Sequence, residues 1–225
     1  MTKEYDIRKN VQRDSHSDRK MNPLWQHPFN CMVSGPTQSG KTEFVKKFIK
    51  HVDKMMFPVP KEIIWCYGAW QKGYETLNSS IKLQEGIPKW EEWTDDKQRL
   101  VVLDDLMTEI DASITRLFTK GSHHRNMSII FIVQNLFNKN PEQRTISLNS
   151  HYLVLFKNPR DATQITHLGK QMYPGKGSLV QDSYKDATSK PHGYLLIDFR
   201  QDTPDHLRLR SDIFPPKFET VYLQG

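Results

Sequence analysis

Gly35-Pro-Thr-Gln-Ser-Gly-Lys-Thr42 constrains this chain more than any other stretch of it. The eight residues match G-x-x-x-x-G-K-[ST] throughout. Before them stands a short apolar run, Phe29–Ser34, and after them Phe44, Val45, Phe48, Ile49 and Val52 recur at helical spacing. A strand entering and a helix leaving is the setting this pattern requires. The glycines let the backbone bend until successive N–H groups point to one place, and the helix that follows adds the positive end of its dipole. Such a loop receives phosphate oxygens. Gly35, Pro36, Thr37, Gln38, Ser39 and Gly40 form the cradle. Lys41 then reaches the β- and γ-phosphates of a nucleotide such as ATP, and the Thr42 hydroxyl is a ligand for Mg2+.

The remaining apolar runs set the fold class. Ile63–Tyr67, Leu100–Leu103, Ile129–Val133 and Tyr152–Phe156 are short and apolar at every position, as strands covered on both faces are. Ile110, Ile114, Leu117 and Phe118 line one helix face, and Asp161 is expected to cap a helix carrying Ile165, Leu168 and Met172. The expected fold is α/β, a P-loop NTPase with a mostly parallel central sheet flanked by helices. Gly193–Phe199 and His206–Arg210, joined by the turn signal Q-D-T-P-D, predict an antiparallel hairpin at the C-terminal end. Two stretches carry no clear period and read as insertions or loops: 69–99, with Trp70, Trp90 and Trp93, and 173–192.

Composition narrows the classes further. A chain of 225 residues suits one domain. We place it at 23–225, behind a polar tail, 1–22, expected to be disordered alone. Apolar runs fall short of the ~20 residues of a membrane span, so none is expected. The opening M-T-K-E-Y-D-I-R-K-N is too polar for a secretory signal. Two cysteines make no disulfide framework. Cys31 and Cys66 lie in apolar runs and read as buried thiols in a reducing compartment. Lysine plus arginine is 32 against 26 acidic residues, a net charge of +6 that permits a nucleic-acid partner without arguing for one. The closing E-T-V-Y-L-Q-G matches a viral protease recognition pattern, yet we read it as native chain.

Leu-Val-Val-Leu-Asp104-Asp105 is the second chemical signal. An aspartate ending a buried strand beside a phosphate loop holds the Mg2+ that the loop threonine also touches, and Asp104 takes that role. Asp105 is the residue to position and polarise an attacking water, with Glu109 as its alternative. A turn in which both carboxylates cap the next helix explains the same residues without chemistry. Gln134, at the end of Ile129–Val133, is placed to sense the γ-phosphate or the water, provided that this strand lies between the loop strand and the acidic strand. Otherwise it is a strand-terminal amide bonded to its own loop. Thr-Lys-Gly-Ser-His123-His124-Arg125-Asn126 presents Arg125 on a glycine-led loop, which suits an arginine finger inserted into a neighbouring subunit's site and equally suits an exposed basic loop. Arg116, Arg144 and Arg160 compete for the finger role. The paired histidines lack other Cys or His at zinc spacing.

With the phosphate loop, L-V-V-L-D-D-L-M, F-T-K-G-S-H-H-R-N-M-S-I-I-F-I-V-Q-N-L-F, R-T-I-S-L-N-S-H-Y-L-V-L-F-K-N-P-R-D and R-S-D-I-F-P on the page, the chain resembles the viral genome-packaging ATPases of the FtsK–HerA superfamily. It is most similar to the poxvirus-type packaging ATPase of Maverick/Polinton elements, adintoviruses and virophages. The resemblance spans roughly residues 28–222, and its later segments are more specific than the phosphate loop. It implies a P-loop core with an extra strand between the loop strand and the acidic strand, with Gln134 as that strand's polar sensor. It implies a homo-oligomeric ring that couples ATP hydrolysis to moving double-stranded DNA into a preformed capsid, with a capsid or portal-vertex protein as partner. The expected site of action is intracellular, at the host nucleus or the virus assembly site, with virion association as a variant. Asp105 stands where much of the superfamily has a glutamate.

Two other functions fit the loop. A small-molecule phosphotransferase needs an arginine-rich lid, and the sequence offers no convincing one. A nucleotide-binding relic without turnover sits poorly with intact Lys41, Thr42 and Asp104.

Overall fold

The computed structural model describes residues 25–106, 112–121, 125–136, 141–216 and 219–223. A nine-stranded sheet is built on β2 (Asn30–Ser34), β4 (Glu62–Tyr67), β5 (Lys82–Glu85), β6 (Arg99–Asp104), β7 (Met127–Val133), β8 (Tyr152–Phe156), β9 (Tyr194–Asp198), β10 (Leu209–Ser211) and β11 (Thr220–Val221). The order across it is β11-β10-β9-β8-β2-β7-β6-β4-β5. The run from β8 to β5 is parallel, with Met32 opposite Phe131 and Val101 opposite Ile129. From β8 outward to β11 each pairing is antiparallel. The expected class therefore holds, and β7 does lie between the loop strand and the acidic strand. A separate parallel pair joins β1 (Trp25–Gln26) to β3 (Met56–Phe57).

Side chains alternate across the pleat and feed two cores. Met32, Val101, Leu103, Ile129, Phe131, Leu153 and Ile197 face α3 (Ala112–Arg116), α4 (Pro141–Leu148), α5 (Ala162–Met172) and α6 (Ser178–Ala187), which bring Ile114, Ile146, Ile165 and Val180. Cys31, Val33, Val102, Ile130, Val154 and Leu196 face the other way, onto Phe44, Val45 and Phe48 of α1 (Lys41–Lys50). A short α2 (Val52–Met55) leads from α1 into β3. Both cysteines are free and fully buried, and burial pushes the Cys66 thiol up to about 12. Ile114, Leu117 and Phe118 form the buried face expected of them, while Ile110 lies outside the described residues.

Several boundaries differ from expectation. The 69–99 stretch contains β5, an edge strand whose Lys-Leu-Gln-Glu carries little apolar signal because three of its four side chains are exposed. The 173–192 stretch contains α6, which buries only Val180, Ser183 and Tyr184. In the hairpin, strand structure begins at Leu209, because Asp205–Leu207 is a 3-10 turn. Arg208 closes that turn by donating to the carbonyls of Asp198 and Arg200 at 3.1 and 2.8 Å. Asn158 caps the 3-10 turn Pro159–Asp161, accepting from the Arg160 N–H, and α5 begins directly after that turn, at Ala162. Thr220–Tyr222 is built into the fold: Tyr222 is buried, and its hydroxyl donates to Asp186 at 2.8 Å. Among the described residues no helix is long and apolar enough to cross a membrane.

Candidate functional site

β2 has β7 on one side and β8 on the other, and the chain leaves its carboxyl end into the Gly35–Thr42 loop. The ends of parallel strands at such a branch point are where α/β sheets bind ligands. Local geometry enforces the turn. A Cβ on Gly35 would stand 2.6 Å from the Phe156 Cβ and 2.8 Å from the Ser39 Oγ. Gly40 adopts φ +106°, which other residues rarely tolerate, and caps α1 without a side-chain hydrogen bond. The first-turn N–H groups of α1 therefore have no side-chain cap, and an anion is their natural partner. The Ser39 hydroxyl is buried without a hydrogen-bond partner, an unfilled polar position inside the loop itself. Lys41 arches back over the loop, donating to the Pro36 carbonyl at 2.9 Å, and is buried.

The acidic strand delivers the complement. Asp104 ends β6 with 4% of its surface exposed, and its Oδ2 accepts from Thr42 Oγ1 at 3.4 Å and from the Tyr74 hydroxyl at 3.0 Å. Burial lowers the Lys41 ammonium below its ordinary range, while the negative charges of Asp104 and Asp105 pull it back up. Burial likewise raises the Asp104 carboxyl, helped by the charge of Asp105 and opposed by the Tyr74 hydrogen bond, Lys41 and Thr42. Two charges held in a poorly solvated corner, with a hydroxyl beside them, suit the phosphate chain of a nucleotide with Mg2+. Such an ion takes one or two carboxylates and completes its shell with phosphate oxygens and water. No group of three His, Cys, Asp or Glu side chains that could hold a metal ion occurs among the described residues. The residues present fit Mg2+ bound with a nucleotide, and Thr42 and Asp104 are the side chains that would hold the ion.

Asp105 is exposed and has φ +56°, a left-handed conformation held from outside. Gly68, leaving β4, donates its N–H to the Asp104 carbonyl at 3.2 Å. A Cβ there would meet the Asp105 carbonyl oxygen at 2.3 Å. Gln134 follows β7 directly, exposed, on the same edge of the sheet as the loop and Asp104. Its neighbour Asn135 is tied down by Gln143, whose side-chain amide donates to the Asn135 carbonyl.

Arg125 is elsewhere. It precedes β7 at the opposite end of that strand, and its guanidinium donates to the carbonyls of Trp93 and Glu91 at 2.8 and 3.1 Å. Arg160 is exposed just after β8, on the loop edge. Arg116 ends α3 and Arg144 lies exposed on α4. His123, His124 and Glu109 fall outside the described residues.

Three further residues escaped sequence reasoning. Tyr74 and Gly68 lie in a stretch without a motif. His192 packs its ring over Gly40, and its Nδ1 donates to the Ser39 carbonyl at 3.1 Å. The His192 side of the loop opens into a cavity of about 370 Å3, lined by Pro36–Ser39, Lys157 and Thr188–Gly193. Only the positive φ of His192 (+59°) marks its turn as special, and that is a structural signal.

No family model matches the sequence, and no curated protein matches it. Solved structures do match its fold. Three are structures of the genome packaging NTPase B204 of Sulfolobus turreted icosahedral virus 2. The complex with ATP-gammaS is 13% identical with a TM-score of 0.52, covering 87% of this chain and 96% of that one. The AMPPCP complex is 13% identical with a TM-score of 0.51, and the AMP complex 12% identical with 0.50; each covers 78% of this chain and 95% of the other. At such identities the likeness is one of fold.

Proposed function

We propose that this chain is an Mg2+-dependent ATPase that drives double-stranded viral DNA into a capsid, working as a homo-oligomeric ring. The observation that carries the reading is the meeting of Lys41, Thr42 and Asp104 at one sheet edge, in a sheet with β7 inserted between the loop strand and the acidic strand. The shared fold with a viral genome packaging NTPase supports the biological half of it.

Within the site, the loop amides and Lys41 hold the phosphates, and Thr42 with Asp104 holds the metal. When bound, Mg2+ neutralises charge that develops on the phosphate oxygens. Asp105 accepts a proton from the attacking water, and Gln134 orients that water from the end of β7. An arginine of a neighbouring subunit, Arg125 in the first instance, adds positive charge where the reaction concentrates negative charge. The nucleoside end of ATP enters the cavity beside His192. Contacts with DNA run to its backbone from exposed lysines such as Lys170, Lys176 and Lys185, and so weaken with salt. The capsid or portal-vertex contact, and a place of action at the host nucleus or assembly site, belong to the same proposal.

The test is steady-state ATP hydrolysis by the assembled protein at low salt, with and without duplex DNA, beside Lys41→Ala. Turnover stimulated by DNA and abolished by the substitution is the expected result. Oligomeric protein that ignores DNA, or that phosphorylates a nucleoside instead, overturns the motor.

A further inference from the structure

Asp104 is held by a residue that no phosphate-loop motif contains. Tyr74 stands in the 3-10 turn Lys72–Thr76, between β4 and β5, and its hydroxyl donates to Asp104 Oδ2 at 3.0 Å. The bond is shorter than the 3.4 Å contact that the same oxygen makes with Thr42. The tyrosine ring is 1% exposed, with the rings of Trp65, Tyr67 and Trp70 5.5 to 5.7 Å away. Packed on three sides, it has little rotamer freedom, so its hydroxyl is a fixed point. The turn that carries it is fixed as well. Lys46, on the helix that follows the phosphate loop, donates to the Gly73 carbonyl at 2.8 Å and lies 3.4 Å from Thr76 Oγ1. Four residues before the turn, Gly68 donates its N–H to the Asp104 carbonyl. Residues 68–76 thus form a strap from the loop helix to the acidic strand, with Tyr74 within it.

We infer that Tyr74 is a positioning residue for the metal-holding carboxylate: its hydroxyl sets the rotation of the Asp104 side chain against Thr42 before Mg2+-nucleotide arrives. A carboxylate with one oxygen pinned cannot swing out of register with the loop, and the remaining lone pairs stay available beside Thr42. Partners of this kind are what orient metal ligands elsewhere in proteins, and losing one costs about 10–100-fold in metal affinity. The inference rests on the assignment of Asp104 and Thr42 to Mg2+.

The experiment measures the affinity of the full chain for a fluorescent ADP analogue in EDTA and across a Mg2+ titration, for wild type and Tyr74→Phe. The substitution removes one hydroxyl and leaves the ring packing in place. The expected result is equal affinity without metal, which also reports a folded site, together with a Mg2+-dependent gain about tenfold smaller and a higher half-saturating Mg2+ concentration. A loss of equal size with and without metal overturns the inference, because it marks a role in the fold alone. An unchanged gain overturns it too. If wild type itself shows no gain from Mg2+, the metal-site assignment fails first and takes this inference with it.

Discussion

Asp104 is a charge kept where charge is costly. Burial dominates the upward shift of its carboxyl, and the neighbouring Asp105 adds to it. The folded chain therefore binds this proton more tightly than the unfolded chain does. The ionised form costs stability at neutral pH, and that cost disappears as pH falls. Asp104→Asn is accordingly expected to raise the thermal midpoint of the nucleotide-free protein at pH 7 while Mg2+-dependent turnover is lost; calorimetry and a hydrolysis assay on one preparation read both. A fall in the midpoint would mean that the hydrogen bonds from Tyr74 and Thr42 outweigh the burial. Gly68→Ala acts from the opposite side of the same turn. Its Cβ would press on the Asp105 carbonyl. We expect a loss of about 1–3 kcal/mol in denaturant unfolding and at least about tenfold in turnover, since the acidic pair is displaced. Lys41, Thr42 and Asp104 were legible in the sequence because phosphate chemistry prescribes both their types and their setting. Gly68, Tyr74 and His192 were not. Each acts by touching the motif across 30 residues or more, and nothing local to it records that contact.

The same division holds for elements. Strands covered on both faces declare themselves by unbroken apolar runs, and helices packed on them by spacing. The edge strand β5 and the narrow-striped α6 bury too little to show. A parallel ladder joins β5 to β4, with Ile64 opposite Lys82 and Tyr67 opposite Glu85, and a cluster of charges sits at the start of these strands. Arg99, at the start of β6, pairs with Glu62 at 2.7 Å and Asp95 at 2.7 Å, and its guanidinium lies 4.3 Å from the Trp93 ring centroid. Lys82 of β5 bonds to Glu62. That bond, then Arg99, holds the Glu62 carboxyl below the usual range, and Arg99 chiefly pulls Asp95 down to about 2. Folded-state values below the unfolded ones contribute stability that is complete above about pH 4.3 and is lost as pH falls through the depressed values. The β4–β5–β6 corner is therefore expected to loosen between about pH 4 and pH 2, seen as a change in tryptophan emission. Arg99→Met should flatten that slope in part, since Asp95 loses the chief cause of its shift while Lys82 still holds Glu62 down. An identical acid profile in the variant would remove the pair from the account.

Among the described residues the nine-stranded sheet carries a core on each face, and the candidate site lies at the end of its central strands. Phe131 of β7 is fully buried between the loop strand and the acidic strand. Truncating it to alanine is expected to cost about 3–5 kcal/mol in chemical denaturation. That is a large share of the about 5–15 kcal/mol that holds such a domain together. The proposed ring sets a condition on the arginine that would complete the site. In a head-to-tail ring, the loop edge of one subunit meets a different face of the next. An arginine serving the neighbour therefore belongs away from its own phosphate loop. Arg125 satisfies that condition. It lies at the far end of β7, aimed by the carbonyls of Trp93 and Glu91, whereas Arg160 shares the loop edge. Lys41→Ala and Arg125→Ala are each expected to be inactive alone. Mixed one to one, they should regain turnover, because roughly a quarter of the interfaces then join an intact loop to an intact arginine of the next subunit. If the Arg125 mixture stays silent and the corresponding mixture with Arg160→Ala, Arg144→Ala or Arg116→Ala recovers, the finger is that residue, and the two hydrogen bonds of Arg125 serve only to anchor the 90–93 segment.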